Sequence, residues 1–144
     1  MTNDIRIVIA DDHPIVRRGL VQLIQDDPML KIIAEAEDGE AALARIEETV
    51  PQIAVLDVDM PKLDGFGVAR EIQKRRLPVE IVFLTIHAEE DIFHAAMDMG
   101  AKGYILKESA AHSGRPSTWS DFQISKRVHR TLMTHIESIV ADLF

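Results

Sequence analysis

Through residue 107 the chain alternates between two hydrophobic patterns. Ile5-Arg6-Ile7-Val8-Ile9-Ala10 is a short β-branched run and predicts a first strand. In Pro14 to Gln25 the apolar residues Ile15, Val16, Leu20, Leu23 and Ile24 recur at helical spacing, and proline suits a first helical turn. Lys31 to Ala36 predicts a second strand. Gly39 to Thr49, with Ala41, Ala42, Leu43 and Ile46, predicts a helix that Pro51 breaks. Ile53-Ala54-Val55-Leu56 is apolar throughout, as a strand buried on both faces should be. Met60-Pro61 and Asp64-Gly65-Phe66-Gly67 mark a loop before a helix of about Val68 to Arg75. Val79 to Thr85 predicts strand four and Glu89 to Met99 a helix capped by Gly100. Lys102 to Leu106 predicts strand five. Repeated β–α units of this length imply an α/β domain with a parallel sheet and helices on both faces.

The character changes after Ser109. Residues 1–110 form the first unit, and residues 111–117 read as a linker, with Ser113, Gly114 and Pro116 in it. Residues 118–144 predict one amphipathic helix. Its stripe runs through Val128, Leu132, Met133, Ile136, Ile139, Val140 and Leu143. Covering the sheet in cis and forming a homodimer compete closely as uses for that stripe.

Composition narrows the function. The 144 residues carry a net charge of −8, which argues against the whole chain binding nucleic acid. A small basic cluster at Lys126, Arg127 and Arg130 reads as a solvated helix face. There is no cysteine, so disulfides, thiol catalysis and cysteine–zinc sites are excluded. The first residues lack a signal-peptide pattern and no apolar run is long enough to span a membrane. A cytoplasmic protein without a membrane partner is expected. The six histidines are scattered without a coherent metal-ligand spacing and read as surface residues.

Carboxylates gather at strand ends. Asp11 and Asp12 follow strand one, and Asp57 closes strand three. In an open parallel sheet these ends share the edge where ligands bind. Carboxylates brought together there would repel one another unless a cation is present. Magnesium suits them because it takes hard oxygen ligands. Thr85 ends strand four and Lys107 strand five on the same edge. An oxygen nucleophile, a divalent metal and a fixed ammonium together suit phosphoryl transfer. Alone, Asp57 reads as a capping or solvated aspartate, Thr85 as a strand-favouring residue and Lys107 as a solvated lysine; the combination points to chemistry.

Asp11-Asp12, Asp57-Val58-Asp59-Met60-Pro61, Gly65, Thr85, Gly100-Ala101 and Gly103-Tyr104-Ile105-Leu106-Lys107 resemble a two-component receiver domain in order, type and spacing. The resemblance covers residues 4 to 110 and implies the flavodoxin-like strand order 2-1-3-4-5. It implies that Asp57 accepts a phosphoryl group from a histidine kinase. Magnesium would be held by the Asp12 and Asp57 side chains and the Asp59 backbone carbonyl, Asp11 helping through water. Lys107 would contact phosphoryl oxygens, Thr85 would swing toward the phosphate and Tyr104 would follow. Asp59 and His87 flank the site and would tune the lifetime of the phosphorylated state. The protein would be a phosphoacceptor that catalyses its own phosphorylation and dephosphorylation, and not an enzyme with a product to release.

Lys107-Glu108-Ser109 resembles the NarL/FixJ-type (LuxR-like) subfamily, whose members regulate transcription through a C-terminal DNA-binding domain. Here that domain is expected to be absent, and the helix of 118–144 to stand in for the family's fifth helix. Two other function classes remain in view. One is a receiver-like interaction module uncoupled from phosphorylation. The other is an aspartate-nucleophile phosphatase of the haloacid-dehalogenase kind, suggested by Asp57-Val58-Asp59. In those enzymes the pair lies on the first strand; here it is on the third.

Overall fold

The computed structural model describes residues 4–106 together with Thr134. The strands are β1 (Ile5–Ala10), β2 (Leu30–Ala36), β3 (Ile53–Asp57), β4 (Glu80–Thr85) and β5 (Gly103–Leu106). The helices are α1 (Pro14–Gln25), α2 (Gly39–Thr49), α3 (Gly65–Lys74) and α4 (Glu90–Asp98). All strand pairs are parallel and the order is β2-β1-β3-β4-β5. This is the expected doubly wound sheet. The linker of 111–117 and the helix of 118–144 lie outside the described residues, as does Lys107.

The sheet is central because its strands alternate between two apolar layers. Ala54 and Leu56 of β3 join Val8, Phe83, Ile46, Val68, Ile72 and Ala96 on the face covered by α2, α3 and α4. Ile53 and Val55 join Ile7, Ile9, Leu84 and Leu20 on the face covered by α1. β3 is buried at every position, which is why its sequence shows no polar alternation. Phe83 meets Phe66 edge to face at 5.0 Å, pinning the start of α3 to the sheet.

Helix ends place the loops that carry the candidate site. Asp38 caps α2 by accepting from the Ala41 amide at 2.8 Å. Arg6 closes the other end, donating to the carbonyls of Thr49 at 2.6 Å and Val50 at 2.8 Å. Val50 is a β-branched residue at φ 42, a costly conformation that this clamp supports.

α3 starts at Gly65, earlier than the predicted Val68. Asp64 is the reason: its side chain accepts from the Gly67 amide at 2.7 Å and caps the helix. The glycines that suggest a loop are there for close packing. A Cβ on Gly65 would stand 2.3 Å from the Asp57 carbonyl oxygen.

Candidate functional site

Register brings the acidic residues together. β1 and β3 pair Ala10 with Leu56, so the next residues, Asp11 and Asp57, leave the sheet at one level. On the other side β3 and β4 pair Asp57 with Leu84, and Thr85 follows directly. Asp11, Asp57 and Thr85 are the buried polar side chains among the described residues, at 1%, 3% and 0% exposure. In a sheet edge otherwise built of aliphatic residues, such burial costs free energy unless the groups have partners or a task.

Backbone amides two residues on hold the carboxylates of Asp57 and Asp11. Asp57 Oδ1 accepts from the Asp59 amide at 3.2 Å, and Asp11 Oδ1 from the His13 amide at 2.9 Å. Arg17, on α1, donates to the Asp11 carbonyl at 2.6 Å and pairs with Glu35 of β2 at 3.2 Å. Behind the pocket, the Gly65 amide donates to the Val58 carbonyl at 2.8 Å.

The donor set fits a divalent cation. Ligand atoms of Asp11, Asp12, His13 and Asp57 all lie within 4.8 Å of one another. Two oxygens on opposite sides of a magnesium ion stand about 4.2 Å apart, so small adjustments suffice. The Asp59 carboxylate is not in this group. It faces His87 instead, and its expected contribution is through the backbone carbonyl.

His13 is exposed, as read for the histidines, and its ring stands beside the acidic group. Its Nδ1 lies 3.3 Å from Asp11 Oδ1 and 3.1 Å from Asp12 Oδ1. Its position directly after two aspartates, with Pro14 restricting its backbone, is the signal in the sequence that points there.

A second group lines the β4–α4 side. Thr85 Oγ1 accepts from the His87 amide at 3.0 Å, and the Tyr104 hydroxyl donates to the His87 carbonyl at 2.6 Å. His87 Nε2 meets Asp59 Oδ2 at 2.5 Å, and Nδ1 lies 3.6 Å from Glu89. Asp59 and His87 are therefore a bridge between loops, not two independent solvated residues. Burial pushes the Tyr104 phenol above its usual range; a hydrogen bond with Thr85 pulls the other way, and the charges of Glu89 and Asp59 add to the rise. The Tyr104 ring packs edge to face on Phe93 at 5.3 Å.

A family model for the response regulator receiver domain matches residues 7–114. The chain belongs to this family. It is 37% identical over 105 residues to the NarL transcriptional regulatory protein of Mycobacterium tuberculosis, covering 73% of this chain and 49% of that protein. It is 36% identical over 109 residues to the transcriptional regulatory protein DegU of Brevibacillus brevis, covering 76% and 46%. The chain spans about half the length of the curated relatives it matches. Among solved structures, the receiver domain of the M. tuberculosis NarL regulator superposes with a TM-score of 0.73 at 32% identity, covering 92% of this chain and 97% of that one. The response regulator domain of Thermotoga maritima CheB superposes with a TM-score of 0.79 at 26% identity, covering 96% and 97%. The chain is thus a receiver-type signalling domain of two-component systems. Among the described residues no helix is long and apolar enough to cross a membrane.

Proposed function

We propose that the chain is a phosphorylation switch in which Asp57 accepts the phosphoryl group. The observation that carries this is the carboxylate of Asp57, buried at the end of a central strand inside a donor set that fits a cation. In the transfer, a bond from phosphorus to the donor's imidazole nitrogen breaks and one to an Asp57 oxygen forms. The donor is a phosphohistidine of a kinase. Asp12, Asp57 and the Asp59 carbonyl would hold magnesium, with Asp11 helping through water, and the bound ion would offset charge on the transferred oxygens. Lys107 adds a second positive charge there.

The readout runs through bonds already described. Thr85 Oγ1 accepts from the His87 amide and Tyr104 donates to the His87 carbonyl. A phosphoryl group on Asp57 competes for the Thr85 hydroxyl. Drawing Thr85 away releases one side of His87 and loosens the grip of Tyr104 on the β4–α4 loop. A local charge change thus biases a loop and ring with two arrangements. The end result is altered transcription, the task of the NarL and DegU transcriptional regulatory proteins that the chain resembles.

The test is incubation with magnesium and a small phosphodonor, followed by intact mass and acid and base treatment. One acid-stable, base-labile phosphoryl group is expected, lost in Asp57→Asn. An adduct that persists in that variant overturns the assignment. No adduct at all favours an interaction module uncoupled from phosphorylation.

A further inference from the structure

We propose that His13 is an imidazole ligand of the cation pocket, giving it a stronger preference for borderline transition ions over magnesium than an all-oxygen pocket has. This rests on the reading of Asp11, Asp12 and Asp57 as the cation site. The nitrogen concerned is Nδ1, the atom that stands 3.3 Å from Asp11 Oδ1 and 3.1 Å from Asp12 Oδ1. Two carboxylate oxygens and one nitrogen at such spacings would serve one ion together, and Asp57 lies within the same 4.8 Å group.

The aim of the ring is built into the backbone. The His13 amide donates to Asp11 Oδ1 at 2.9 Å, so ring and carboxylate belong to one tight turn. Pro14 follows at the first helical position and disfavours the helical region for His13, which sits at φ −99 and ψ 105. As the residue preceding α1, His13 makes no side-chain cap bond, so the ring has no helix-capping task.

Chemistry then sets the preference. Magnesium selects oxygen and gains little from an imidazole, whereas manganese, cobalt and zinc ions accept nitrogen, with affinity rising toward zinc. The pocket therefore carries two kinds of ligand: carboxylates that any divalent ion uses, and one nitrogen that only some use.

The test uses the whole chain, titrated with magnesium, manganese and zinc by calorimetry and examined with manganese bound by electron spin-echo spectroscopy. His13→Ala should lower zinc affinity by about tenfold or more and manganese affinity less, with magnesium nearly unchanged. Nitrogen modulation of the manganese echo should be present in the parent, lost in His13→Ala and kept in His87→Ala. Equal losses for all three ions, or modulation that survives His13→Ala, overturns the proposal: His13 is then only a hydrogen-bonding neighbour. Asp57→Asn separates the two levels. If it weakens every ion while His13→Ala changes none, only the imidazole ligand is refuted. If it weakens none, the pocket reading falls and this inference with it. The ring is largely exposed and touches no apolar core, so the His13 variant is expected to fold.

Discussion

His87 and Asp59 meet at 2.5 Å and join the loop after β4 to the loop after β3. Asp59 is 59% exposed and His87 28%, so the pair is screened and worth no more than about 1 kcal/mol. Its consequence lies elsewhere: both residues stand beside Asp57 and Thr85. His87→Ala and Asp59→Ala should each shift the urea midpoint only slightly. The decay rate of the phosphorylated state should change several-fold, since the Asp59 amide donates to Asp57 Oδ1 and the His87 amide to Thr85 Oγ1. Decay rates equal to the parent in both variants would remove the bridge from any part in that lifetime.

Glycines at the two ends of the α3–α4 region make opposite demands. A Cβ on Gly65 would meet the Asp57 carbonyl oxygen at 2.3 Å, backbone that cannot swing aside. Gly65→Ala should cost about 1–3 kcal/mol or more, and it should disturb the acceptor loop directly. Gly100 needs its left-handed φ of 80, but a Cβ there would meet only Gln73 Nε2, at an ordinary contact distance of 3.7 Å. Gly100→Ala should cost about 1 kcal/mol and leave phosphorylation unaffected. Denaturant titration with a phosphorylation assay distinguishes the two.

Arg17 is a positioning residue with two anchors. It donates to the Asp11 carbonyl at 2.6 Å and pairs with Glu35 at 3.2 Å, tying α1 to the ends of β1 and β2. Arg17→Ala should lower stability by about 1–2 kcal/mol, because a charge-assisted bond to the Asp11 backbone is lost. Cation affinity should fall with it, since Asp11 loses its support. Arg17→Lys should recover only part, because an ammonium cannot serve two acceptors in that fork geometry. Full recovery in Arg17→Lys would mean that charge alone matters.

The sheet was legible because its signals are local. β1, α1 and α2 have the bounds that their apolar spacing predicts, and β3 announces its place by lacking any polar alternation. Asp11, Asp57 and Thr85 share one edge because each directly follows or ends a strand, so register alone unites them. What sequence did not reveal depends on side-chain direction. The early start of α3 needs the Asp64 side chain to turn back onto Gly67. His13 facing Asp12, and His87 reaching across to Asp59, need the turns to be folded before the contacts exist. Spacing along a chain says little about partners 28 residues apart.

Tyr104 offers a direct view of the readout. It is the one tyrosine in the chain, so tyrosinate absorbance reports on it alone. Burial, with the charges of Glu89 and Asp59, raises its pKa above 10.0 despite the hydrogen bond with Thr85. An acid with a raised folded pKa holds its proton longer in the folded state than in the unfolded one. Between the two pKa values the unfolded state therefore binds fewer protons, and stability falls as pH rises. Its contribution is intact below about pH 10 and lost as pH climbs through the folded value. Tyr104→Phe should flatten that alkaline loss while costing about 0.5–1.5 kcal/mol at neutral pH, since the His87 carbonyl loses its donor. Phosphorylation that draws Thr85 away removes the bond that lowers the pKa and also alters the local charge. The tyrosinate titration of the phosphorylated chain should therefore be displaced from that of the unmodified chain. Superimposable titrations would show that Tyr104 does not sense the acceptor.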